Sequence, residues 1–180
     1  MYYGEIKNLG IINSYFYAYT EVGAVAGRTT YGSVENCYNQ SEVRVVVDAA
    51  GGIVGCSYFT KITTCYNVGN ITYDDVHVNG TRHIGSLVGY NLESVLRGNC
   101  YLDTTFYCGI DTVDHDEIYK YTIDEFKSGK ATFYLNSVFG QNLDNGKEVE
   151  IYPSFTGAKV YYGCTSCAAP VNIFSNNKTL

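Results

Sequence analysis

The sequence has few of the features that mark a nucleic-acid-binding or membrane-spanning protein. Of its 180 residues only 12 are Lys or Arg, against 18 Asp or Glu, so the formal net charge is −6. The basic residues are scattered, and neutralising a nucleic-acid backbone requires clustered cations. No stretch reaches the roughly 18–20 apolar residues that cross a bilayer as a helix. We therefore expect neither a nucleic-acid partner nor a membrane-spanning segment.

The first residues also lack the basic and apolar regions of a secretion signal, since the chain begins Met1-Tyr2-Tyr3-Gly4-Glu5. Such a start fits either a cytosolic protein or part of a longer chain. The sequence has no Trp and only 2 Pro, whereas Gly and Tyr are abundant at 19 residues each. The repeat described next favours part of a longer chain.

Two short signatures recur along the first two thirds of the chain. The apolar and glycine run at residues 23–27 returns at 51–55 and at 85–89, after intervals of 28 and 34 residues. The second signature, at 4–9, returns 28 residues later and once more, and a fourth copy ends at Tyr101 after one extra residue. A unit of this size cannot bury its apolar side alone, so we expect stacked copies to share one core.

Some aligned positions stay apolar while their neighbours vary between charged and hydroxyl side chains. We expect these positions to face inward and the recurring glycines to form equivalent corners with positive φ. The inward columns are Ile6, Val34 and Ile62; Leu9, Cys37, Cys65 and Cys100; and Val25, Ile53 and Leu87. The corner glycines are Gly27, Gly55 and Gly89, and the polar ladder between copies is Asn8, Asn36 and Asn99, with Thr64 filling its gap.

The segments between these corners are short, rich in β-branched residues and separated by turn formers, which is typical of strands. We therefore predict a mainly β fold for residues 1–115. Its form would be a parallel β-helix-like solenoid of about three to four coils, with adjacent coils about 4.8 Å apart. The longer interval contains an insertion at residues 74–81, which we expect to be a surface loop.

These motifs resemble the GLUG repeat of bacterial secreted and cell-surface proteins. The matching pieces are residues 51–55, 65–71 and 99–105, and segments 125–130 and 134–136 resemble the tail that follows such arrays. The resemblance covers about residues 4–140. It implies an extracellular or cell-surface location in a bacterium. No catalytic residue is defined for the repeat, so none is carried over.

The pattern changes after residue 115, and we expect residues 116–180 to be a C-terminal capping region. Thr122 and Glu125 have the spacing of a capping box, which predicts a short helix that ends before Gly129. A second short helix is expected at 131–138, with Tyr134, Leu135 and Val138 inward. Residues 149–162 are expected to form a strand pair.

Cysteine, histidine and acidic residues were considered as metal or redox groups. The spacing of Cys164 and Cys167 fits a disulfide, buried thiols, half of a zinc site or a redox pair, and we favour a structural role. His77, His83 and His115 have no nucleophile in a recognisable motif. The acidic residues around His115, at 111, 114, 116 and 117, match no calcium-loop spacing. We expect no metal and no cofactor.

The positions of carboxylates indicate whether the chain is an enzyme, and the positions of tyrosines indicate what it could bind. Polysaccharide-acting β-helix enzymes need converging carboxylates, and Glu35, Asp48, Glu93 and Asp103 do not recur in one column, so we predict no catalytic residue and no enzyme. Tyr38, Tyr66 and Tyr101 follow the inward cysteines, so strand alternation points them outward. They would either bind a sugar or protein side chain or simply cover the fold.

The sequence thus predicts a non-catalytic structural or adhesive repeat module of a bacterial secreted or cell-surface protein. Its expected partner is a glycan or a host or matrix protein. The alternative is the C-terminal segment of a polysaccharide-acting β-helix enzyme whose catalytic part lies elsewhere.

Overall fold

The computed structural model describes residues 1–74, 81–103, 110, 117–135, 138–143, 150–155, 160–162 and 171–174, the last two ranges by their backbone alone. Contacts within the chain divide it into two compact units, Met1–Lys120 and Tyr121–Leu180. The boundary predicted from the sequence lies five residues earlier, after residue 115. The predicted insertion loop lies, apart from its two end residues, outside the described residues.

The first unit is built from short strands. In chain order they are β1 Glu5–Lys7, β2 Gly10–Ala18, β3 Val22–Gly23, β4 Ala26–Thr30, β5 Ser33–Glu35, β6 Tyr38–Val45, β7 Ala49–Gly51, β8 Val54–Tyr58, β9 Lys61–Thr63, β10 Tyr66–Asn67, β11 Ile71–Tyr73, β12 His83–Gly85, β13 Val88–Leu92, β14 Val95–Arg97, β15 Asn99–Leu102 and β16 Ile118–Tyr121.

These strands pair with strands one repeat away in the sequence. One four-stranded sheet has the order β1-β5-β9-β14, and two three-stranded sheets have the orders β12-β7-β3 and β13-β8-β4. A six-stranded sheet has the order β11-β6-β10-β15-β16, with β2 also paired to β6. In the four-stranded sheet Ile6 lies opposite Val34, Val34 opposite Ile62, and Ile62 opposite Leu96, all in parallel register.

The prediction of one parallel β-helix-like solenoid of three to four coils is wrong. The described strands of the first unit fall into several separate short sheets of three to six strands. In the four-stranded sheet, a left-handed residue lies on each side of every strand and ends its extended run, since positive φ lies outside the β region. The flanking pairs are Tyr3 and Asn8, Tyr31 and Asn36, Phe59 and Thr64, and Glu93 and Gly98.

The inward-facing columns build the core of this unit. Val34 and Ile62 are fully buried and Leu96 nearly so, while Ile6 packs against them at the edge of the sheet. Ile53 and Leu87 are also fully buried in the same cluster, with Val25 packed against it. Burying one such aliphatic side chain contributes about 1.5–3 kcal/mol. The prediction that these positions face inward is confirmed for the residues of the interior strands.

The recurring glycines do not form corners. Gly27, Gly55 and Gly89 lie inside β4, β8 and β13, and none of them has a positive φ. They are needed for close approach: a Cβ on Gly55 would lie 2.6 Å from the Gly27 carbonyl oxygen. A Cβ on Gly89 would likewise lie 2.7 Å from the Ala50 carbonyl oxygen. The positive-φ positions that directly follow β1, β5 and β9 are occupied by Asn8, Asn36 and Thr64 instead.

Asparagine side chains tie neighbouring repeats together, but not in the single ladder that we expected. The Asn36 amide donates to the Asn8 side-chain oxygen at 3.1 Å. Asn99 lies outside this row, since its side chain donates to the Ile62 carbonyl at 3.0 Å. A second, fully buried pair joins Asn39 to Asn67 at 2.8 Å, and the sequence analysis missed it.

The second unit begins with two short helices, α1 Ile123–Lys127 and α2 Lys130–Tyr134. The predicted capping box is confirmed: the Thr122 hydroxyl accepts from the Glu125 backbone N–H, and the Glu125 carboxylate accepts from the Thr122 N–H. Gly129 follows α1 with φ 80°. Leu135 is buried as expected, whereas the inward prediction is wrong for Tyr134 and Val138, which are exposed. These two side chains lie at and beyond the end of a helix that stops after five residues.

The strand pair of this unit differs from the prediction. Strand β17 (Val160–Tyr162) pairs antiparallel with β18 (Val171–Phe174), not with an earlier segment. Residues 150–155 contribute only an isolated antiparallel bridge between Gly140 and Ser154. Pro153, which has no backbone N–H to donate, lies within this segment and disfavours a regular strand there.

Candidate functional site

The three tyrosines predicted to point outward do not form an exposed row. Tyr38 and Tyr66 stack with ring centroids 5.1 Å apart and planes 5° from parallel. Tyr66 is nevertheless 0% exposed, and its hydroxyl accepts a hydrogen bond from the Gln40 side chain at 2.9 Å. Tyr101 is 2% exposed and belongs to the hydrophobic core. The expectation that Tyr66 and Tyr101 face solvent is therefore wrong.

The extra residue in the fourth repeat explains the position of Tyr101. Strand pairing places Cys100 opposite Tyr66 and Tyr101 opposite Asn67, one residue out of line with the sequence alignment. Because side chains alternate between faces, a shift of one residue exchanges the faces of every side chain that follows. Tyr101 thus enters the core, and Cys100 leaves the column of Cys37 and Cys65.

The three recurring cysteines are buried free thiols. The Cys37 backbone N–H donates to the Cys65 sulfur at 3.4 Å, so these two residues are neighbours. Burial raises the pKa of Cys65 and of Cys100 well above the usual range for a thiol. A neutral, inaccessible thiol is a poor nucleophile and a poor metal ligand. Cys37 and Cys65 belong to the hydrophobic core, where a buried cysteine packs as a small apolar side chain, and Cys100 is buried outside that cluster.

An aromatic row that the sequence analysis missed does reach the surface. Tyr3 and Tyr31 stack with ring centroids 5.3 Å apart and planes within 15°. Tyr31 and Phe59 continue the row at 5.0 Å and 10°. Their exposed fractions are 68%, 46% and 41%. We call these three residues the aromatic row. Its signal in the sequence is the 28-residue spacing of three aromatic residues, each two positions before β1, β5 or β9.

The backbone holds each ring of the row in an uncommon conformation. Tyr3, Tyr31 and Phe59 have φ values of 51°, 51° and 48°. A non-glycine residue in the left-handed region costs on the order of 1–3 kcal/mol, and such residues concentrate at functional sites. Three large side chains have this conformation one above another, and all three rings remain at the surface. This arrangement points to the row as a binding surface.

A cleft with a volume of about 300 Å³ lies at the Phe59 end of the row. Its lining is Gly32, Phe59, Thr60, Lys61, Glu93, Val95 and Arg97. Glu93 has the left-handed conformation of the row residues, with φ 51°, so it occupies the position of a fourth ring. Thr60 is buried at the base of this region, and its N–H donates to the Ser94 hydroxyl at 2.9 Å.

Charged residues cover the outer face of the four-stranded sheet beside the row. Lys61 lies opposite Val95, and Arg97 lies two residues further along the same strand. Arg97 pairs with Glu117 at 3.4 Å, with both side chains more than half exposed. At the other end of the sheet Lys7 lies 3.5 Å from Glu5 and 3.6 Å from Glu35. The cleft end of the face therefore has two cations beside the carboxylates of Glu93 and Glu117, whereas the far end has one cation beside two carboxylates.

Comparison with protein-family models, with curated proteins and with solved structures gave no match. The resemblance to GLUG repeats therefore stays a prediction. Within the described residues, no helix is long and apolar enough to span a membrane.

Other residues considered in the sequence do not assemble into a site in the described part of the chain. His83 packs edge-on against Tyr90 at 4.9 Å. No group of three or more His, Cys, Asp or Glu among the described residues is arranged to hold a metal. The predicted candidates His77, Asp111, Asp114, His115, Asp116, Cys164 and Cys167 lie outside the described residues.

Proposed function

We propose that this chain is a non-catalytic binding module that recognises glycans through the aromatic row. The observation that carries the proposal is the exposed stack of Tyr3, Tyr31 and Phe59, with steps of 5.3 and 5.0 Å, just before three neighbouring strands of one sheet. Exposed contiguous apolar surface on a folded protein commonly marks an interaction site. A row of rings with a polar surround suits sugars, because sugars present apolar C–H patches beside hydroxyl groups.

The affinity of the row follows from its repetition. Each aromatic contact contributes about 0.5–1.5 kcal/mol beyond the burial of its area, so one ring binds weakly. Three rings in a line engage successive units of a polymer, and the second and third contacts then form at a high effective concentration. A polymeric ligand fits this surface better than a single sugar. Together with the GLUG resemblance, this supports an adhesive module of a bacterial secreted or cell-surface protein.

A glycan array followed by calorimetry tests the proposal. The central variant is Tyr31→Ala, which removes the middle ring, and Tyr3→Ala and Phe59→Ala remove the end rings. The matched control is Tyr19→Ala, because Tyr19 is 68% exposed and lies outside the row. We expect Tyr31→Ala to weaken binding of the glycan hits by about two- to tenfold and Tyr19→Ala to leave it unchanged. Equal binding by Tyr31→Ala and the unmodified chain would show that the aromatic row does not bind the glycan.

A further inference from the structure

The aromatic row has three rings, one fewer than the number of strands in the sheet beside it. The sheet has four strands, but only three of the preceding left-handed positions have rings, since the fourth is Glu93. In the strand order β1-β5-β9-β14, Phe59 precedes β9 and Glu93 precedes β14. Phe59 thus has Tyr31 on one side and the cleft on the side of Glu93 and Val95. A flat ring that enters the cleft would stack on Phe59 in the place of the missing fourth ring.

The size of the cleft limits its ligand. A volume of about 300 Å³ lies at the lower end of small-molecule sites, which range over about 300–1,000 Å³. Gly32 contributes only backbone to the lining. The cleft therefore suits one ring of a polymer, with the neighbouring units lying along the row.

The charges of the cleft select among sugars. Lys61, Arg97 and Glu93 line the cleft, and the Glu117 carboxylate lies beside Arg97, so two cations stand against two carboxylates there. Among the described residues, no carboxylate lies within ion-pair distance of Lys61, and the pair between Arg97 and Glu117 is an exposed one. Exposed ion pairs contribute little and exchange readily. Both cations are thus placed to engage an anionic group on a bound ring, in a protein whose overall charge is −6.

We propose that the cleft binds one ring of an acidic sugar, stacked on Phe59, with the carboxylate or sulfate of that ring paired to Lys61 and Arg97. This rests on the proposed function, because the ring is one unit of the glycan that lies along the row. Glu93 then faces the ring and accepts hydrogen bonds from its hydroxyl groups, while it opposes ligands with many closely spaced anionic groups.

Three oligosaccharides whose rings share the galacto configuration show which anionic group, if any, the cleft binds. They are oligogalacturonate, which has carboxylates, a sulfated galacto-oligosaccharide, and a neutral galacto-oligosaccharide. Calorimetry on the full chain at low and high salt is expected to show tighter binding of at least one acidic ligand than of the neutral one. The difference should shrink as salt screens the pairs. Preference for oligogalacturonate over the sulfated ligand, or the reverse, identifies the anionic group.

Variants that remove one positive charge test whether Lys61 contributes to binding of the acidic ligand. Lys61→Met should weaken binding of the preferred acidic ligand by about two- to fivefold, the range of one exposed ion pair. The matched control is Lys7→Met, which removes the same charge from the far end of the same sheet face and should have no effect. Lys61→Arg should retain binding. Thermal unfolding of each variant shows whether the fold is intact.

The outcomes distinguish this inference from the proposed function. If the neutral ligand binds as tightly as both acidic ones and Lys61→Met changes nothing, the acidic-sugar inference is overturned. A loss on Tyr31→Ala would then still support glycan binding by the row. If Tyr31→Ala and Phe59→Ala also leave binding unchanged, both proposals fall. If none of the three ligands binds, the acidic-sugar inference is overturned, and the glycan array decides the proposed function.

Discussion

Replacing Gly55 by alanine tests why glycine recurs in β4, β8 and β13. A Cβ at residue 55 would lie 2.6 Å from the Gly27 carbonyl oxygen and 2.8 Å from both the nitrogen and the oxygen of Val22. All three atoms are backbone, so no side chain can move aside. Ordinary carbon contacts begin near 3.5 Å, and the neighbouring strands must therefore move by about 1 Å.

That movement breaks hydrogen bonds between repeats. The N–H groups of Val25 and Ala26 donate to the Ile53 carbonyl at 3.0 and 3.2 Å, and a further 1 Å exceeds hydrogen-bonding range. Overpacking costs about 1–3 kcal/mol, and each lost hydrogen bond adds roughly 1 kcal/mol. We expect Gly55→Ala to lower the free energy of unfolding by about 3 kcal/mol or more, measured by urea denaturation followed by circular dichroism.

Gly98 is the matched control, because its position requires glycine for the backbone conformation and not for lack of space. Its φ is +61°, and a Cβ there would meet no atom within 4 Å. Gly98→Ala should cost only about 1–2 kcal/mol, and Gly98→Asn less, since asparagine visits the left-handed region readily. Gly55→Asn should not be tolerated. If Gly55→Ala cost less than about 1 kcal/mol, or asparagine rescued residue 55, the close-approach explanation would be wrong.

The sequence spacing predicts which residues lie opposite each other, but not how the strands group into sheets. Ile6, Val34 and Ile62 align in the sequence and lie opposite one another in the structure. The repeat spacing does not predict where one sheet ends and the next begins. Tyr31 and Phe59 have positive φ, although large aromatic residues disfavour that region. Stacking between repeats and close packing outweigh the local preference, and neither is visible in one segment alone.

The register of the fourth repeat shows how one residue changes a site prediction. The alignment of Cys100 with Cys65 puts the extra residue before Asn99, whereas the structure places Asn99 next to Cys65 and buries Tyr101. A period-2 pattern has no tolerance for a single insertion. The capping box at Thr122 was predictable because it depends on four neighbouring residues only.

The second unit provides the remaining predictions. The buried Gln141 side chain accepts from the Thr132 hydroxyl at 2.6 Å and donates to the Phe126, Glu150 and Ile151 carbonyls. We expect Gln141→Leu to cost at least about 2 kcal/mol in urea denaturation, because it leaves these groups unpaired, and Thr132→Val to cost less. Equal costs would show that the carbonyl bonds contribute nothing.

The second of these predictions concerns pH. Hydrogen bonds from Lys130 and from the Thr122 N–H hold the pKa of Glu125 below its usual value. A depressed carboxyl pKa stabilises the fold above the unfolded value of about 4.3, and this contribution is lost as pH falls through the folded pKa. Thermal unfolding of Glu125→Gln should therefore depend less on pH below about pH 4.3 than that of the unmodified chain. Lys130→Met should reduce the same dependence, because it removes the largest cause of the shift while leaving the carboxyl group in place. Identical pH profiles for all three proteins would mean that the pairing of Glu125 with Lys130 and the Thr122 N–H makes no contribution in solution.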